Sequence, residues 1–395
     1  MKKTLIILGC CVALLLLLLG AALLLANGGE EAPEETAESL SLMDRPGSEV
    51  ASVSVKNASG EYTVTRDGDA LTVHDIPAKL VNMDYVDMLA ASKFCPEFTL
   101  DTVYSRSAEK ARAFAEKWGA PHWTDSLEAL AASESVDAVY IASPNALHCE
   151  QTLLMLRGGK HVLCEKPIAR CAVELETMLS AAQERGLVLL QAMRSAFLPT
   201  IPLLREEIAR IGPVRRARFS YCQYSSRYDK FKNGIIENAF DPRLGNGALM
   251  DIGAYCVNLM VLLFGAPRAV TAKAVFLPGS IDAIGTAICE YDGFHAELEY
   301  SKVDQSDCIS EISGESGSLR FWPTAAPLNV VSVRKGKILE LASDPCGEYD
   351  MRYELERFVL LTRGGDAGEW TECTRIAAGV MDEIRRQCGI DFTIH

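Results

Sequence analysis

The feature that most constrains the fold is a regular alternation of short apolar strands and amphipathic helices between residues 97 and 193. EFTLDTVYSRSAEKARAFAEKWGA, residues 97–120, opens it with a strand, a Ser-Arg turn and a helix that Ser107 can cap and Gly119 can end. Buried strands follow at VDAVYIAS, HVLCEKP and LVLLQAM, with helical segments between them. Strands that alternate with helices of this length predict a doubly wound parallel sheet.

The pattern changes after about Gly212, where most segments are strand-like. One helix is expected at residues 247–264, and two more near residues 349–363 and 369–387 close the chain. This half therefore predicts an α+β domain with a large open, mainly antiparallel sheet. The fold class expected for the whole chain is α/β plus α+β.

The N-terminal segment is of a different kind. MKK precedes an uncharged apolar run, Thr4–Ala26, and five Glu follow among residues 30–38. A run of this length predicts a transmembrane anchor over residues 1–28, rather than a cleaved signal peptide. The flanking charges predict that the N-terminus is inside and the rest of the chain outside.

Two further segments precede the α/β pattern. Residues 29–48 are acidic and rich in small residues, which predicts a flexible linker. Residues 49–92 are expected to form a small β-rich module and a helix, because Val53/Val55, Tyr62/Val64 and Leu71/Val73 alternate with polar neighbours around the turns NASG and RDGD.

Charge and cysteine content exclude some classes of protein. The net charge is −14, with 53 acidic and 39 basic residues, which argues against a nucleic-acid partner. The 13 cysteines form no C-x-x-C, so we expect no metal site and interpret them as buried, reduced thiols. Such thiols suit the cytoplasm, whereas the N-terminal run indicates a membrane location.

The strand ends point to the chemistry, because open parallel sheets bind ligands beyond the carboxyl ends of their strands. In CEKP, Glu165 and Lys166 leave a buried strand and Pro167 ends it. A partly desolvated lysine beside a positively charged nicotinamide loses its proton more readily, which suits acid–base work on a hydroxyl or carbonyl. The alternative is a surface Lys–Glu pair at a strand end.

A second group of polar residues lies in LGNGALMDIGAYCVNL. Asp251, Tyr255 and Asn258 are spaced i, i+4 and i+7, hence on one helix face. A carboxylate, a phenol and an amide in one stripe could orient a polyol and relay a proton. The alternative is helix capping by Asp251 with a half-buried Tyr255.

These two groups together resemble the Gfo/Idh/MocA family of oxidoreductases. The matching stretches are SPNALHCEQTLLMLRGGKHVLCEKPIA, YDKFKNGIIENAFDPRLGNGALMDIGAYCVN and LDTVYSRSAEKARAFAEKWGA, within a resemblance that covers about residues 88–395. The resemblance implies a Rossmann-type NAD(P)-binding domain over residues 93–212 and a substrate and oligomerisation domain over 213–395. It also implies hydride transfer on a sugar, polyol or related alcohol or carbonyl.

The resemblance also implies roles for single residues. Lys166 would be the catalytic acid–base, with Asp251 and Tyr255, where the family often has His, assisting. Arg106 could neutralise a 2′-phosphate, so NADP is favoured over NAD. The residues expected to bind cofactor are Ser105, Arg106, Pro144, Asn145, His148, Glu165 and Pro167. The residues expected to bind substrate are Arg194, Tyr228, Asp229, Asn238 and Asn258.

The chain departs from the family at its first strand–turn–helix unit. No G-x-G-x-x-G occurs, and its place is taken by LTVHDIPAKLVNMDYVDMLAAS. As an alternative to its place in the β-rich module, Leu71–Ile76 could occupy the position of the first parallel strand. In the turn that follows, Pro77 removes an amide donor and Asp75 adds repulsion, which predicts impaired dinucleotide binding.

Three functions follow from these observations. The first is an NAD(P)-dependent oxidoreductase with an impaired cofactor site, and a minor variant is an NAD-dependent glycosidase. The second is a membrane-anchored, non-catalytic protein that binds a sugar or a partner. The N-terminal segment resembles an uncharacterised family of membrane-anchored bacterial proteins, and residues 86–92 read as a junction of two unrelated sequences, whether by gene fusion or by an assembly error.

Overall fold

The structure, a computed structural model, describes residues 52–57, 60–67, 70–74, 88, 92–93, 95–343 and 350–392. The predicted anchor, the acidic linker and residues 75–78 of the HDIPA turn lie outside these residues. The chain divides into two compact units, Met1–Pro77 and Ala78–His395.

The first unit contains an antiparallel three-stranded meander. Its strands are β1 (Ser52–Asn57), β2 (Gly60–Asp67) and β3 (Ala70–His74), which pair in that order. The predicted meander is therefore confirmed. The placement of Leu71–Ile76 as the first parallel strand is wrong for its first four residues, because only two residues separate β2 from β3 and so short a connection permits antiparallel pairing alone.

The second unit begins with the predicted alternation of strands and helices. Its elements are β4 (Thr102–Tyr104), α1 (Ala108–Trp118), β5 (His122–Thr124), α2 (Leu127–Ala132), β6 (Ala138–Ile141), α3 (His148–Arg157), β7 (His161–Glu165), α4 (Ala172–Glu184) and β8 (Leu189–Ala192). Ser107 caps α1 by accepting a hydrogen bond from the backbone N–H of Lys110, and Gly119 ends it in the left-handed conformation, as the sequence predicts.

The parallel sheet is in two pieces. β4 pairs with β5, and β6, β7 and β8 pair in that order. In a doubly wound sheet the first strand lies between the strands that correspond here to β4 and β6. Within the part of the chain that the structure describes, no strand bridges them. The side chains of β8 are buried, whereas those of β4 and most of β6 are half-exposed.

The C-terminal half is built on one eight-stranded sheet. It comprises α5 (Thr200–Arg210), β9 (Val214–Cys222), α6 (Tyr228–Lys232), α7 (Ala254–Phe264), β10 (Ala269–Leu277), β11 (Ile281–Tyr291), β12 (Phe294–Ser301), β13 (Ser310–Gly314), β14 (Gly317–Trp322), β15 (Asn329–Arg334), β16 (Lys337–Ala342), α8 (Arg352–Thr362) and α9 (Gly368–Cys388). The order is β10-β11-β12-β9-β13-β14-β15-β16, and only β12 and β9 run parallel. The predicted open, mainly antiparallel sheet is confirmed.

The helix α7 forms the centre of this half. A π-helical turn, Leu249–Gly253, leads into it, and its residues from Ala254 to Leu262 are all buried, in a core shared with the sheet and α9. Among the described residues, the segment Pro242–Phe264 alone is long and apolar enough to cross a membrane, and it lies mostly inside the protein.

The cysteines in the described part of the chain are free thiols, as predicted. Six of these ten are buried, three are partly buried, and Cys308 is exposed.

Candidate active site

Lys166 lies at the carboxyl end of β7, inside the second unit. Its Nζ is 3.2 Å from Oδ1 of Asp251 and 4.8 Å from the ring centroid of Tyr255. The Lys166 side chain is 10% exposed, and Glu165 is 7% exposed. The alternative of a surface Lys–Glu pair is therefore wrong, and the structure brings together the three residues expected to be catalytic.

Asp251 lies between two ammonium groups. Its Oδ1 faces Lys166, and its Oδ2 is 2.8 Å from Nζ of Lys302. Burial by itself would raise the pKa of Asp251, but the charges of Lys302 and Lys166 outweigh it and hold that pKa well below its usual range. Asp251 is therefore a carboxylate at neutral pH.

Lys302 is the residue of this group that sequence reasoning missed. It follows β12 directly and is 1% exposed. The available signal was a lysine that ends the alternating strand FHAELEYS, but a lysine at a strand end is usually solvated, so the signal is weak.

The aromatic wall of the site is formed by Tyr255 and Tyr221. Tyr255 is 8% exposed, and its ring meets that of Tyr221 edge to face at 5.8 Å. Burial raises the pKa of Tyr221, so this phenol stays neutral. The two rings limit the access of water to the Lys166 ammonium.

The start of the helical segment that carries Asp251 is held by Asp282 of β11. The buried Oδ2 of Asp282 accepts a hydrogen bond from the backbone N–H of Leu249 at 2.7 Å. Gly247 makes room for this carboxylate, because its φ is +151° and a Cβ there would lie 1.8 Å from Oδ1 of Asp282. The glycines of LGNGALMD therefore place Asp251 beside Lys166.

The strand ends expected to hold the cofactor differ in exposure. At the end of β4, Ser105 is partly buried and donates its backbone N–H to the carbonyl of Thr124, while Arg106 is exposed. After β6, Pro144 is partly buried and begins the 3₁₀ turn Asn145–Leu147. These residues face the expected dinucleotide edge, in agreement with strand geometry.

Asn145 and His148 both follow β6, and both form hydrogen bonds with other parts of the chain. The Asn145 amide donates to the carbonyl of Gly245 at 2.9 Å and to Oδ1 of Asn246 at 3.0 Å, so it ties the strand end to the C-terminal half. His148 is fully buried, with Nδ1 2.9 Å from the carbonyl of Pro167 and Nε2 2.8 Å from that of Ser143.

His148 and Glu165 therefore support the backbone of the site. Burial lowers the pKa of His148, which keeps the imidazole neutral. Glu165 accepts hydrogen bonds from the Tyr140 hydroxyl and from the backbone N–H of Lys166. The predicted ribose contact of His148 is wrong, because the first turn of α3 points its ring inward between two strand ends.

The residues expected to bind substrate are dispersed. Arg194 follows β8, with Nη1 3.7 Å from Oδ1 of Asp350. The ring of Tyr228 stacks on that of Phe240 at 5.8 Å, and Phe240 in turn lies under Lys302.

Asp229, Asn238 and Asn258 differ in exposure and in their contacts. Asp229 is exposed and bonded to the Tyr224 hydroxyl, and Asn238 is exposed. Asn258 is 3% exposed and lines a cavity against α9, where its Oδ1 has no hydrogen-bond partner among the described residues. The single-face prediction is wrong for Asn258, because α7 is buried on all sides and its next turn packs on α9.

Comparison with known proteins agrees with this geometry. Residues 82–193 match the family described as "Oxidoreductase family, NAD-binding Rossmann fold", and residues 204–320 match "GFO/IDH/MocA C-terminal domain". The scyllo-inositol 2-dehydrogenase (NADP(+)) IolU of Bacillus subtilis (strain 168) is 47% identical over 300 residues, which are 75% of this chain and 91% of IolU. The uncharacterized oxidoreductase YgjR of Escherichia coli (strain K12) is 40% identical over 297 residues, or 75% of this chain and 90% of YgjR.

The fold has solved counterparts. KijD10, a 3-ketoreductase from Actinomadura kijaniata in complex with NADP and TDP-benzene, superposes with a TM-score of 0.70 at 23% identity, over 78% of this chain and 95% of KijD10. The arrangement of Lys166, Asp251 and Tyr255, the two matching domains and the identity to IolU lead to one conclusion. The chain belongs to the Gfo/Idh/MocA family of NAD(P)-dependent oxidoreductases.

Proposed function

We propose that this protein is an NADP-dependent oxidoreductase that interconverts a secondary hydroxyl group of a cyclic polyol or sugar and the corresponding ketone. The observation that carries the proposal is the contact of Lys166 with Asp251 at 3.2 Å beside the ring of Tyr255. The similarity to IolU, which is named as a scyllo-inositol dehydrogenase, supports the substrate class.

The described strand ends fit a dinucleotide. Ser143 follows β6, and its Oγ is a buried polar atom without a hydrogen-bond partner among the described residues. Such an atom at the ligand-binding edge of a parallel sheet is available to a polar ligand. Together with Ser105, Arg106 and Pro144 it would hold the cofactor, which supplies the hydride acceptor or donor when bound.

The chain's own residues would manage the proton. The neutral amine of Lys166, held near Asp251, can take the proton of a substrate hydroxyl as carbonyl character develops, and the resulting ammonium can return that proton in the opposite direction. Tyr255 and Tyr221 exclude water from this ammonium, which strengthens its interactions with the bound oxygen. Asp251 stays ionised, so it can orient the Lys166 side chain as the neutral amine and as the ammonium.

The proposal is tested by turnover. We expect the protein to reduce NADP⁺ with scyllo-inositol or a related cyclic polyol, measured at 340 nm. Lys166→Met should lower kcat by about 10²–10⁴-fold, the usual contribution of a general acid–base, while leaving NADPH affinity within a few-fold.

A second buried lysine provides the control for this test. Lys160→Met removes another buried lysine, whose Nζ donates to the carbonyl of Ser133 far along the sheet, and should keep the activity. Equal turnover by the protein and by Lys166→Met would overturn the assignment.

The missing glycine loop favours a second candidate, a non-catalytic sugar-binding protein. The sequence has no G-x-G-x-x-G, and no described strand fills the position between β4 and β6. Titration with NADPH up to millimolar concentration separates the two candidates. An absence of binding, with a polyol still bound, would favour the second.

The remaining organisation is proposed on sequence grounds. We propose domain boundaries at 93–212 and 213–395, a membrane anchor at Thr4–Ala26, and a homo-oligomer through the open face of the eight-stranded sheet. Exposed apolar side chains on its strands, such as Val275 and Ile288, support the last point. Mass photometry of detergent-extracted protein tests it, and a strict monomer would exclude it.

A further inference from the structure

Lys302 has no role in the chemistry described so far, although it is the most deeply buried cation of the site. It is 1% exposed, and its Nζ donates to Oδ2 of Asp251 at 2.8 Å and to the carbonyl of Ala239 at 2.6 Å. The ammonium also lies 4.8 Å from the ring centroid of Phe240. Burying an ammonium group costs free energy. These contacts offset that cost, so the loss of any one of them would destabilise the protein.

The Asp251 carboxylate is shared between two cations. Lys302 binds Oδ2, and Lys166 binds Oδ1 and the backbone carbonyl of Asp251. One negative charge therefore serves two ammonium groups. Each ammonium is stabilised less than it would be in a simple ion pair, because the other cation repels it through the same low-dielectric region.

We propose that Lys302 is a positioning residue, which fixes one oxygen of the Asp251 carboxylate and offsets its charge so that Lys166 can release a proton. The inference deepens the function proposed above and rests on it, since it concerns the same site. Lys302 acts through Asp251, and the proposal assigns it no contact with the reacting atoms.

Other charged and titratable groups also face this cluster. Asp282 of β11 interacts electrostatically with Lys302. Burial raises the pKa of Asp282, and the charge of Lys302 opposes that rise. Lys166 acts electrostatically on Tyr221 of β9 and on His148 of α3. The remaining members of this surround are Glu165, Arg194 and Tyr255. None of these residues is itself replaced in the Lys302 variants, and the loss of the Lys302 charge would in addition raise the pKa of Asp282.

Removal of the Lys302 charge should shift the titration of Lys166 in one direction, to higher pH. The full charge of Asp251 would then act on Lys166 alone, so the Lys166 ammonium would be stabilised and would lose its proton at higher pH. Two unit charges that share one carboxylate, at an effective dielectric constant of about 20, interact strongly enough to move a titration midpoint by about one to two pH units.

The test measures the proton on Lys166 directly and needs neither cofactor nor substrate. The full-length protein is labelled competitively with trace acetic anhydride between pH 7 and pH 11, and acetylation of the Lys166 peptide is quantified by mass spectrometry. We expect the midpoint of Lys166 labelling to rise by about one unit in Lys302→Met. The same midpoint in both proteins would overturn the proposal.

Two further variants keep the result decisive if Lys302→Met does not fold. Lys302→Gln keeps a hydrogen-bond donor without the charge and should raise the midpoint, whereas Lys302→Arg keeps the charge and should leave it near that of the unmodified protein. Lys160→Met, the other buried lysine among the described residues, should not move it. A shift in Lys302→Arg equal to that in Lys302→Gln would mean that packing, not charge, is responsible.

This result is independent of the proposed turnover. If the midpoint moves but no polyol is oxidised, the coupling of Lys302 to Lys166 stands and the substrate assignment fails. If turnover is found but the midpoint does not move, the role of Lys302 fails and the proposed function stands.

Discussion

At the scale of single residues, the site depends on one carboxylate. Asp251 is partly exposed, yet two lysines with 10% and 1% exposed side chains depend on it for their negative partner. Its ionised form is favoured in the folded state because Lys302 and Lys166 outweigh the effect of burial on its pKa. Asp251 therefore contributes both to the stability of the fold and to the reactivity of Lys166.

Asp251→Asn should destabilise the protein by about 2–3 kcal/mol at pH 7, because the buried Lys302 loses its counter-charge and the partial exposure of Asp251 reduces the full penalty. Because the folded-state pKa of Asp251 is depressed, its contribution is present above the unfolded value of about 3.9 and is lost as pH falls below it. Urea unfolding at pH 7 and pH 3 should show the gap between the two proteins narrowing in acid.

The exposed Asp307→Asn is the matched control and should stay within about 0.5 kcal/mol of the unmodified protein. A gap for Asp251→Asn that is constant with pH would contradict this account.

Arg106 is the residue that we propose sets the preference for NADP. It is exposed at the carboxyl end of β4, where a cationic side chain can pair with a 2′-phosphate. Arg106→Ala should weaken NADPH binding by at least about 10-fold and leave NADH binding nearly unchanged, measured by fluorescence titration.

Arg112→Ala, an exposed arginine that pairs with Glu116 on α1, is the control and should alter neither affinity. Equal losses of affinity for NADPH and NADH in Arg106→Ala would show that Arg106 does not bind the 2′-phosphate.

At the scale of elements, the entry into α7 is fixed from outside the helix. Its π-helical turn begins where Asp282 of β11 binds the backbone N–H of Leu249, and Gly247 is the residue that permits this approach. Local helix propensity could not produce this arrangement, since the capping carboxylate comes from a strand 33 residues further along the chain.

Gly247→Ala should destabilise the protein by about 2–4 kcal/mol, from backbone strain at positive φ together with loss of the Asp282 cap. Differential scanning calorimetry measures the change. Gly234→Ala is a matched control, because Gly234 also has a positive φ, +80°, but no atom lies within 4 Å of an added Cβ. That variant should lose only about 1 kcal/mol, and equal losses would rule out the close approach as the cause.

At the scale of the whole molecule, two properties of the chain predict different cellular locations. The apolar run Thr4–Ala26 and its flanking charges predict an exported chain. An exported oxidoreductase would lack the cytoplasmic supply of NADPH, and the ten described cysteines are free thiols, as suits the cytoplasm. We expect the second property to prevail for the folded domains.

Cys308 provides the measurement, because it is the exposed cysteine among those described. A membrane-impermeant maleimide should label Cys308 only after cells are lysed, with Cys308→Ser as the control. Labelling in intact cells would place the domains outside and would favour the non-catalytic candidate.

Features that depend on local pattern could be predicted from the amino-acid sequence. The alternation from residue 97 to 193 determined the parallel strands, the Ser107 cap and Gly119 determined the ends of α1, and the strand end at CEKP placed Lys166 at the ligand-binding edge. The two-residue connection between β2 and β3 also determined an antiparallel pair, which the expectation of a first parallel strand at Leu71–Ile76 overlooked.

Contacts between residues that are distant in the chain depend instead on tertiary packing. Lys302, whose position in the chain gives little signal, reaches the same carboxylate as Lys166, while Asn258 turns to α9 and His148 turns inward. These outcomes depend on how the sheet, α7 and the strand ends pack against each other. Helical spacing and strand alternation specify one element at a time, and they contain no information on which buried charge will find which partner.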